Sequence, residues 1–250
     1  MGWKWVAASA CGTSHMRLGT PRQDASRVVL RSSNKIFIAA VCDGAGTAEY
    51  GGQGAAIAAR TFTNEVANSV KRSLKSITDQ VIWDAVDLIR DQITIAAHKR
   101  DLGMRDFATT LVAAISDGHN SITVHVGDGT VAGRLAKDGL WQSLSWPEHG
   151  EYASTTFFLT DTSEVKLRVG RFSEPIDRIV LMTDGLERLA LDFAQLVPHA
   201  PFFAGISEPI SADGDNRGSP KLAKALQKYL DSSAINERTD DDKTLVIAAL

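Results

Sequence analysis

Cysteine is nearly absent: only Cys11 and Cys42 occur in 250 residues. Two thiols without a paired-cysteine motif exclude a disulfide framework and point to a reducing compartment. Long apolar runs are missing too, since no stretch approaches the ~20 residues needed to cross a bilayer. The opening Met1-Gly2-Trp3-Lys4-Trp5-Val6 lacks a signal-peptide core, and Val6 stands where a myristoylation motif needs Ser or Thr. A cytoplasmic protein with no membrane attachment is therefore expected. An excess of positive charge is also lacking, the formal net charge being −3. That leaves no electrostatic footprint for nucleic acid or an anionic surface, and the five Trp lack the basic interleaving of a nucleic-acid platform. No repeat or linker divides the chain, so one domain over residues 1–250 is the simplest organisation.

What the sequence does have is acid at the ends of apolar strands. Ile36 to Val41 runs through Cys42 into Asp43-Gly44, Ile122 to Gly127 runs into Asp128, Ile179 to Thr183 runs into Asp184, and Asp241-Asp242 precedes Thr244 to Ile247. An isolated Asp-Gly is more often a turn that caps the next helix. Four such ends are different, because gathering carboxylates at one edge of a sheet costs several kcal/mol per desolvated ion unless cations compensate. An all-oxygen set suits hard ions such as Mg²⁺ and Mn²⁺.

The patterning predicts a first strand over 3–10, a polar loop over 12–24, and a hairpin of 25–31 with 35–41 turning at Ser32-Ser33-Asn34. Helical spacing covers 54–74 and 77–98, two antiparallel helices on a sheet. A meander of strands follows at 109–115, 121–126 and 130–135. Further strands are expected at 156–159, 165–169 and 178–183, with 147–154 irregular, then a helix over 186–196 and an unpatterned loop over 198–219. A helix over 220–230 and a closing strand over 244–250 complete the chain. Pattern alone supports no more than an α+β class.

These stretches together resemble the metal-dependent protein phosphatases of type 2C. Asp43-Gly44 stands for the family's Asp-Gly-x-Gly-Gly, Thr109-Thr110-Leu111 for Gly-Thr-Thr, and Gly127-Asp128-Gly129 for Gly-Asp-Ser. Thr183-Asp184-Gly185 stands for Thr-Asp-Gly, and Asp241-Asp242-Lys243-Thr244 for Asp-Asn-x-Thr. Each motif is weak, but five in the family's order are specific, and they span about residue 9 to the C-terminus. Gly12 to His15 with Gln23-Asp24-Ala25, and Gly150-Glu151-Tyr152 with 156–160, resemble a compact bacterial branch.

The resemblance implies two antiparallel sheets face to face with pairs of helices outside, four layers in all. It implies hydrolysis of phosphoserine or phosphothreonine on proteins, with two core metal ions, Mn²⁺ or Mg²⁺, activating a bridging hydroxide. Asp43 would bridge the ions, the Gly44 carbonyl would bind the second, and Asp184 with Asp241 the first. Asp24 would hold a metal-bound water, and Asp128 with Asp184 a third, looser ion. The partner implied is a phosphorylated protein, with a cognate Ser/Thr kinase.

Departures from the family matter. Ala45 stands where many eukaryotic members carry His for leaving-group protonation, Thr47 replaces the motif's second Gly, and Asp242 replaces Asn. Asp242 would either tighten the metal site or cap the strand that follows. The family's phosphate-binding Arg is replaced by Gly19, so His15 or Arg17 in the same loop becomes the candidate phosphate binder; His15 also belongs to the branch signature. Arg17 offers a bidentate fork and His15 a single donor. His125 reads as a packed or exposed strand residue rather than a ligand. The competing reading is a pseudophosphatase that binds phosphoproteins or a signalling partner, and a third is a phosphatase for small phosphoesters.

Overall fold

The computed structural model describes residues 2–71, 73–148, 156–162, 164–212 and 218–250. One five-stranded sheet has the order β1 (Lys4–Ala10), β12 (Lys243–Ala249), β9 (Ile176–Met182), β6 (Thr130–Leu135) and β7 (Trp141–Ser145). The other runs β2 (Ala25–Arg31), β3 (Ile36–Cys42), β4 (Leu111–Ser116), β5 (Ser121–Val126) and β8 (Arg168–Phe172). All pairings within both are antiparallel.

The apolar strands read as continuous runs because both faces are covered, and successive side chains point to opposite faces. Phe37, Ala39 and Val41 of β3 face Ile179, Leu181, Val246 and Ala248 of the other sheet. Their neighbours Ile38, Ala40 and Cys42 face outward onto α2 (Gly51–Ser69) and α3 (Asp79–His98), meeting Ala58, Phe62, Ile89 and Ile93. On the far side, Leu245, Ile247 and Val180 pack against Phe203 of α5 (Ala200–Ala212) and Leu226 and Leu230 of α6 (Pro220–Leu230). The result is the expected four-layer αββα sandwich.

Several elements differ from the sequence expectation. The predicted loop over 12–24 contains a short helix, α1 (Thr13–Leu18), ended by Gly19 in the left-handed region at φ 68°. Trp141–Ser145 forms an unpredicted strand, and the strand expected at 165–169 lies at Arg168–Phe172. Residues 156–159 form no strand, only an isolated bridge residue at Thr156 followed by irregular backbone. The helix expected over 186–196 shrinks to a 3₁₀ turn, Asp184–Leu186, and α4 (Glu187–Ala190). Asp192 stops it: its Oδ1 accepts from Ala194 N and Gln195 N, both 3.0 Å, a local turn that competes with helix. The short ribbon of β10 (Leu191–Asp192) and β11 (Val197–Pro198) follows. The stretch 198–219, expected to be unpatterned, holds helix α5 with Pro209 inside it. Glu151, Tyr152 and His149 lie outside the described residues.

His125 is fully buried, with Nδ1 2.6 Å from Ser145 Oγ and 3.1 Å from an Arg168 nitrogen. Burial first, and the Arg168 charge second, push its pKa down to about 3, so it is a neutral packing residue as expected.

Candidate metal centre

Strand register carries the acids to one end of the sandwich. Ala25 pairs with Cys42, which sets Asp24 opposite Asp43. Thr130 pairs with Met182, and Leu245 also pairs with Met182, which brings Asp128, Asp184 and the segment before β12 together. Asp43, Asp128 and Asp184 each place a carboxylate oxygen within 4.8 Å of the others. Asp241 lies beside them: it lines a cleft of about 380 Å³ with Asp184, and its charge raises the pKa of both Asp43 and Asp184.

The backbone around these acids is tied down from several sides. Asp43 N–H donates to Thr110 Oγ1 at 2.9 Å, while its carbonyl accepts from Thr110 N–H at 2.8 Å and Thr109 Oγ1 at 3.0 Å. The paired threonines are therefore clamps on Asp43. Thr183 Oγ1 donates to Asp24 Oδ2 at 2.8 Å and accepts from Thr244 N–H at 3.0 Å, linking β9 to β12 across the site. Thr156 Oγ1 donates to Asp128 Oδ2. Gly44 is required by close approach, because a Cβ there would fall 2.2 Å from the carbonyl carbon of Gly51 at the start of α2.

Electrostatically the cluster is under-compensated. Burial, followed by the charges of Asp24, Asp184, Asp241 and Asp128, pushes Asp43 well above the usual carboxylate range. Burial, then Asp128, Asp241 and Asp24, does the same to Asp184. Asp241 is raised mainly by burial. Asp24 is raised to about 6, again chiefly by burial, and its Oδ1 is buried without a hydrogen-bond partner. An orphaned buried acceptor among four further raised or clustered acids needs protons or cations. Every donor is a carboxylate oxygen, so the residues fit a hard divalent ion.

Asp242 adds charge beside the centre, raising the pKa of Asp24 and Asp241, but its oxygens are bound elsewhere than at the entry of the strand that follows. Its Oδ1 accepts from Gly12 N–H at 2.7 Å, and its Oδ2 accepts from Gln23 N–H at 2.6 Å and lies 3.2 Å from His15 Nδ1. It fastens the whole 12–23 segment to the C-terminal strand. His15 is thus engaged by Asp242 and by the Pro21 carbonyl, also 3.2 Å from Nδ1. Arg17 lies at the surface, 3.1 Å from Asp240 Oδ2, both side chains about two-thirds exposed.

Sequence reasoning missed two cations. Arg188, four residues after Asp184, and Arg238, three before Asp241, are exposed and line the same cleft as Asp184, Asp240 and Asp241. The signal available was proximity in sequence: each follows or precedes a metal-candidate Asp by one turn or less.

The protein phosphatase 2C family model matches residues 11–231. The chain is 34% identical over 252 residues to Serine/threonine-protein phosphatase 3 of Escherichia coli (strain K12), covering 99% of this chain and 98% of that one. Among solved structures, the serine/threonine phosphatase Stp1 from Staphylococcus aureus superposes with a TM-score of 0.68 at 14% identity, over 100% of this chain and 96% of that chain. A serine/threonine phosphatase from S. agalactiae gives a TM-score of 0.68, also at 14% identity, over 99% of each chain. These low-identity structures speak for the fold, and the family match and the close relative speak for descent: the chain belongs to the protein phosphatase 2C family.

Proposed function

We propose that this chain, as one domain, is a metal-dependent phosphatase acting on phosphoserine and phosphothreonine of proteins. The observation that carries the reading is the convergence of Asp43, Asp128 and Asp184 within 4.8 Å, with Asp241 alongside. A module that only bound partners would have no use for so much buried like charge, which disfavours a pseudophosphatase. We assign Asp43, Asp184 and Asp241, with the Gly44 carbonyl, to two core ions, and Asp128 with Asp184 to a third. Two divalent ions, Mn²⁺ or Mg²⁺, would supply Lewis acidity for activating water and stabilising charge on the phosphoryl oxygens. Asp24, buried beside Asp43, would orient solvent at the centre. Ala45 offers no proton, so leaving-group protonation falls to solvent. The cellular setting we assign is the cytoplasm, with a Ser/Thr kinase opposing the reaction; among the described residues no helix is long and apolar enough to cross a membrane.

Phosphate recognition falls to the cations around the cleft. Arg17 is held only by an exposed ion pair, worth about 0–1 kcal/mol, so it can exchange Asp240 for a phosphate fork. His15 has Nδ1 committed and only its other ring nitrogen to offer. Arg188 and Arg238 would meet acidic residues flanking the phosphorylated one. Turnover of an aryl phosphate and of a phosphothreonine peptide with Mn²⁺, Mg²⁺ or chelator tests the activity; no turnover with either metal would overturn it. Arg17→Ala is expected to lower kcat/KM on both substrates by roughly tenfold, a loss of about 1.4 kcal/mol. Arg238→Ala is expected to do so on an acidic peptide alone. Unchanged kinetics in both variants would return phosphate binding to the metals.

A further inference from the structure

Among the described residues a second cluster of metal-type donors lies outside the group formed by Asp43, Asp128 and Asp184. Cys11, His15 and Asp242 place Sγ, an imidazole nitrogen and a carboxylate oxygen all within 4.8 Å of one another. These are three different ligand types, drawn from the end of β1, from α1 and from the residue before β12. The 3.2 Å between His15 Nδ1 and Asp242 Oδ2 is close to the edge of a tetrahedral zinc site, about 3.3 Å for bonds of about 2.0 Å. The Pro21 carbonyl lies 3.2 Å from the same nitrogen, in reach of a fourth position that water could equally fill.

The local hydrogen bonds prepare this arrangement. The Asp242 side chain is only 1% exposed, and its carboxylate is anchored by the Gly12 and Gln23 amides, so its position does not depend on His15 or Cys11. Cys11 Sγ lies within 4.8 Å of that same carboxylate, and His15 Nδ1 lies 3.2 Å from it. A thiol and an imidazole nitrogen thus converge on one buried carboxylate, an arrangement that a single borderline-soft divalent cation can join.

We propose that Cys11, His15 and Asp242 form a separate binding site for a borderline-soft divalent cation of the Zn²⁺ class, which fastens the 12–23 segment to the C-terminal strand. On binding, the Cys11 thiol proton leaves to solvent and the imidazole proton resides on Nε2, so that a thiolate, a neutral ring and a carboxylate balance the 2+ charge. Thiolate selects this site against Mg²⁺, whereas the carboxylate centre offers oxygen alone. The site stands independently of the phosphatase reading.

The test uses full-length protein stripped of metal, then saturated with Mg²⁺ to occupy oxygen-ligand positions, and titrated with Co²⁺. One equivalent should produce an intense thiolate-to-cobalt charge-transfer band that Zn²⁺ abolishes. Cys11→Ser should eliminate the band and His15→Ala should weaken it, while Cys42→Ser, at a thiol buried under α2, should keep it. Should Cys11→Ser fold poorly, alkylation of wild type decides: Zn²⁺ should slow modification of Cys11, read by peptide mass, and Mg²⁺ should not. Absence of a charge-transfer band, a band that survives Cys11→Ser, or Cys11 alkylation indifferent to Zn²⁺ would each overturn the site.

Discussion

Asp43→Asn and Asp184→Asn are each expected to lower kcat by roughly three orders of magnitude, about 4 kcal/mol of barrier, and at the same time to raise the melting temperature of the metal-free protein. The two effects have one cause. Each carboxylate sits in a cluster where burial and neighbouring acids hold its pKa well above normal, so its charge is a cost until cations arrive. Asn keeps the volume and removes the charge. Relief of about 1–2 kcal/mol of repulsion would raise Tm by about 2–8 °C in a chain of this size. On the proposed assignment the same change would remove a ligand from the core ions, so activity would be lost without loss of fold. Circular dichroism melts in chelator and steady-state kinetics in Mn²⁺ check the pair. Near-normal kcat in both variants would take the metal centre away from these residues, and a lowered metal-free Tm would mean that their charges are stabilising without metal.

The acids were readable because they stand at strand ends, where a continuous apolar run stops abruptly at Asp. β3 and β12 are buried on both faces, so nothing else in the pattern explains Asp43 or Asp241. The family resemblance then ordered them. Register was not readable: that Ala25 opposes Cys42, and so brings Asp24 against Asp43, depends on a four-residue turn, Ser32 to Lys35, whose first three residues take positive φ. α5 was hidden because Gly205 and Pro209 are locally poor in helix, and its stability comes from burying Phe203 and Ile210 against the sheet, a tertiary gain that propensity does not contain. The double Asp241-Asp242 was read as one motif. Its two members have different surroundings, Asp241 lining the cleft with Asp184 and Asp242 bound to the amides of Gly12 and Gln23, and only long-range contact separates them.

Metal ions are expected to stabilise the protein far more at about pH 8 than at about pH 5, because the metal-free cluster carries protons at the lower pH that ions must displace. The sign follows from the raised native pKa values. Asp24 is raised to about 6, and Asp43 and Asp184 lie higher than normal as well, against an unfolded value of about 3.9. Between those limits the native state binds more protons than the unfolded chain. The cluster's contribution is therefore fully present below about pH 4 and is lost as pH rises through about 6 and beyond. His125 works the opposite way, since its native pKa of about 3 costs stability as pH falls below the unfolded value of about 6.5. That contribution is common to metal-free and metal-loaded protein, so it cancels when the two are subtracted. At pH 8, two ions each present at 100 times their Kd add about 5 kcal/mol, roughly 10–20 °C in Tm. At pH 5 the same ion concentration should add only a fraction of that. Thermal unfolding in chelator and in saturating Mg²⁺, with Asp43→Asn and Asp184→Asn as controls that should flatten the difference, measures it. A metal-induced shift equal at both pH values would mean that the metal-free carboxylates hold no extra protons, and that the clustered charge is compensated by something other than cations.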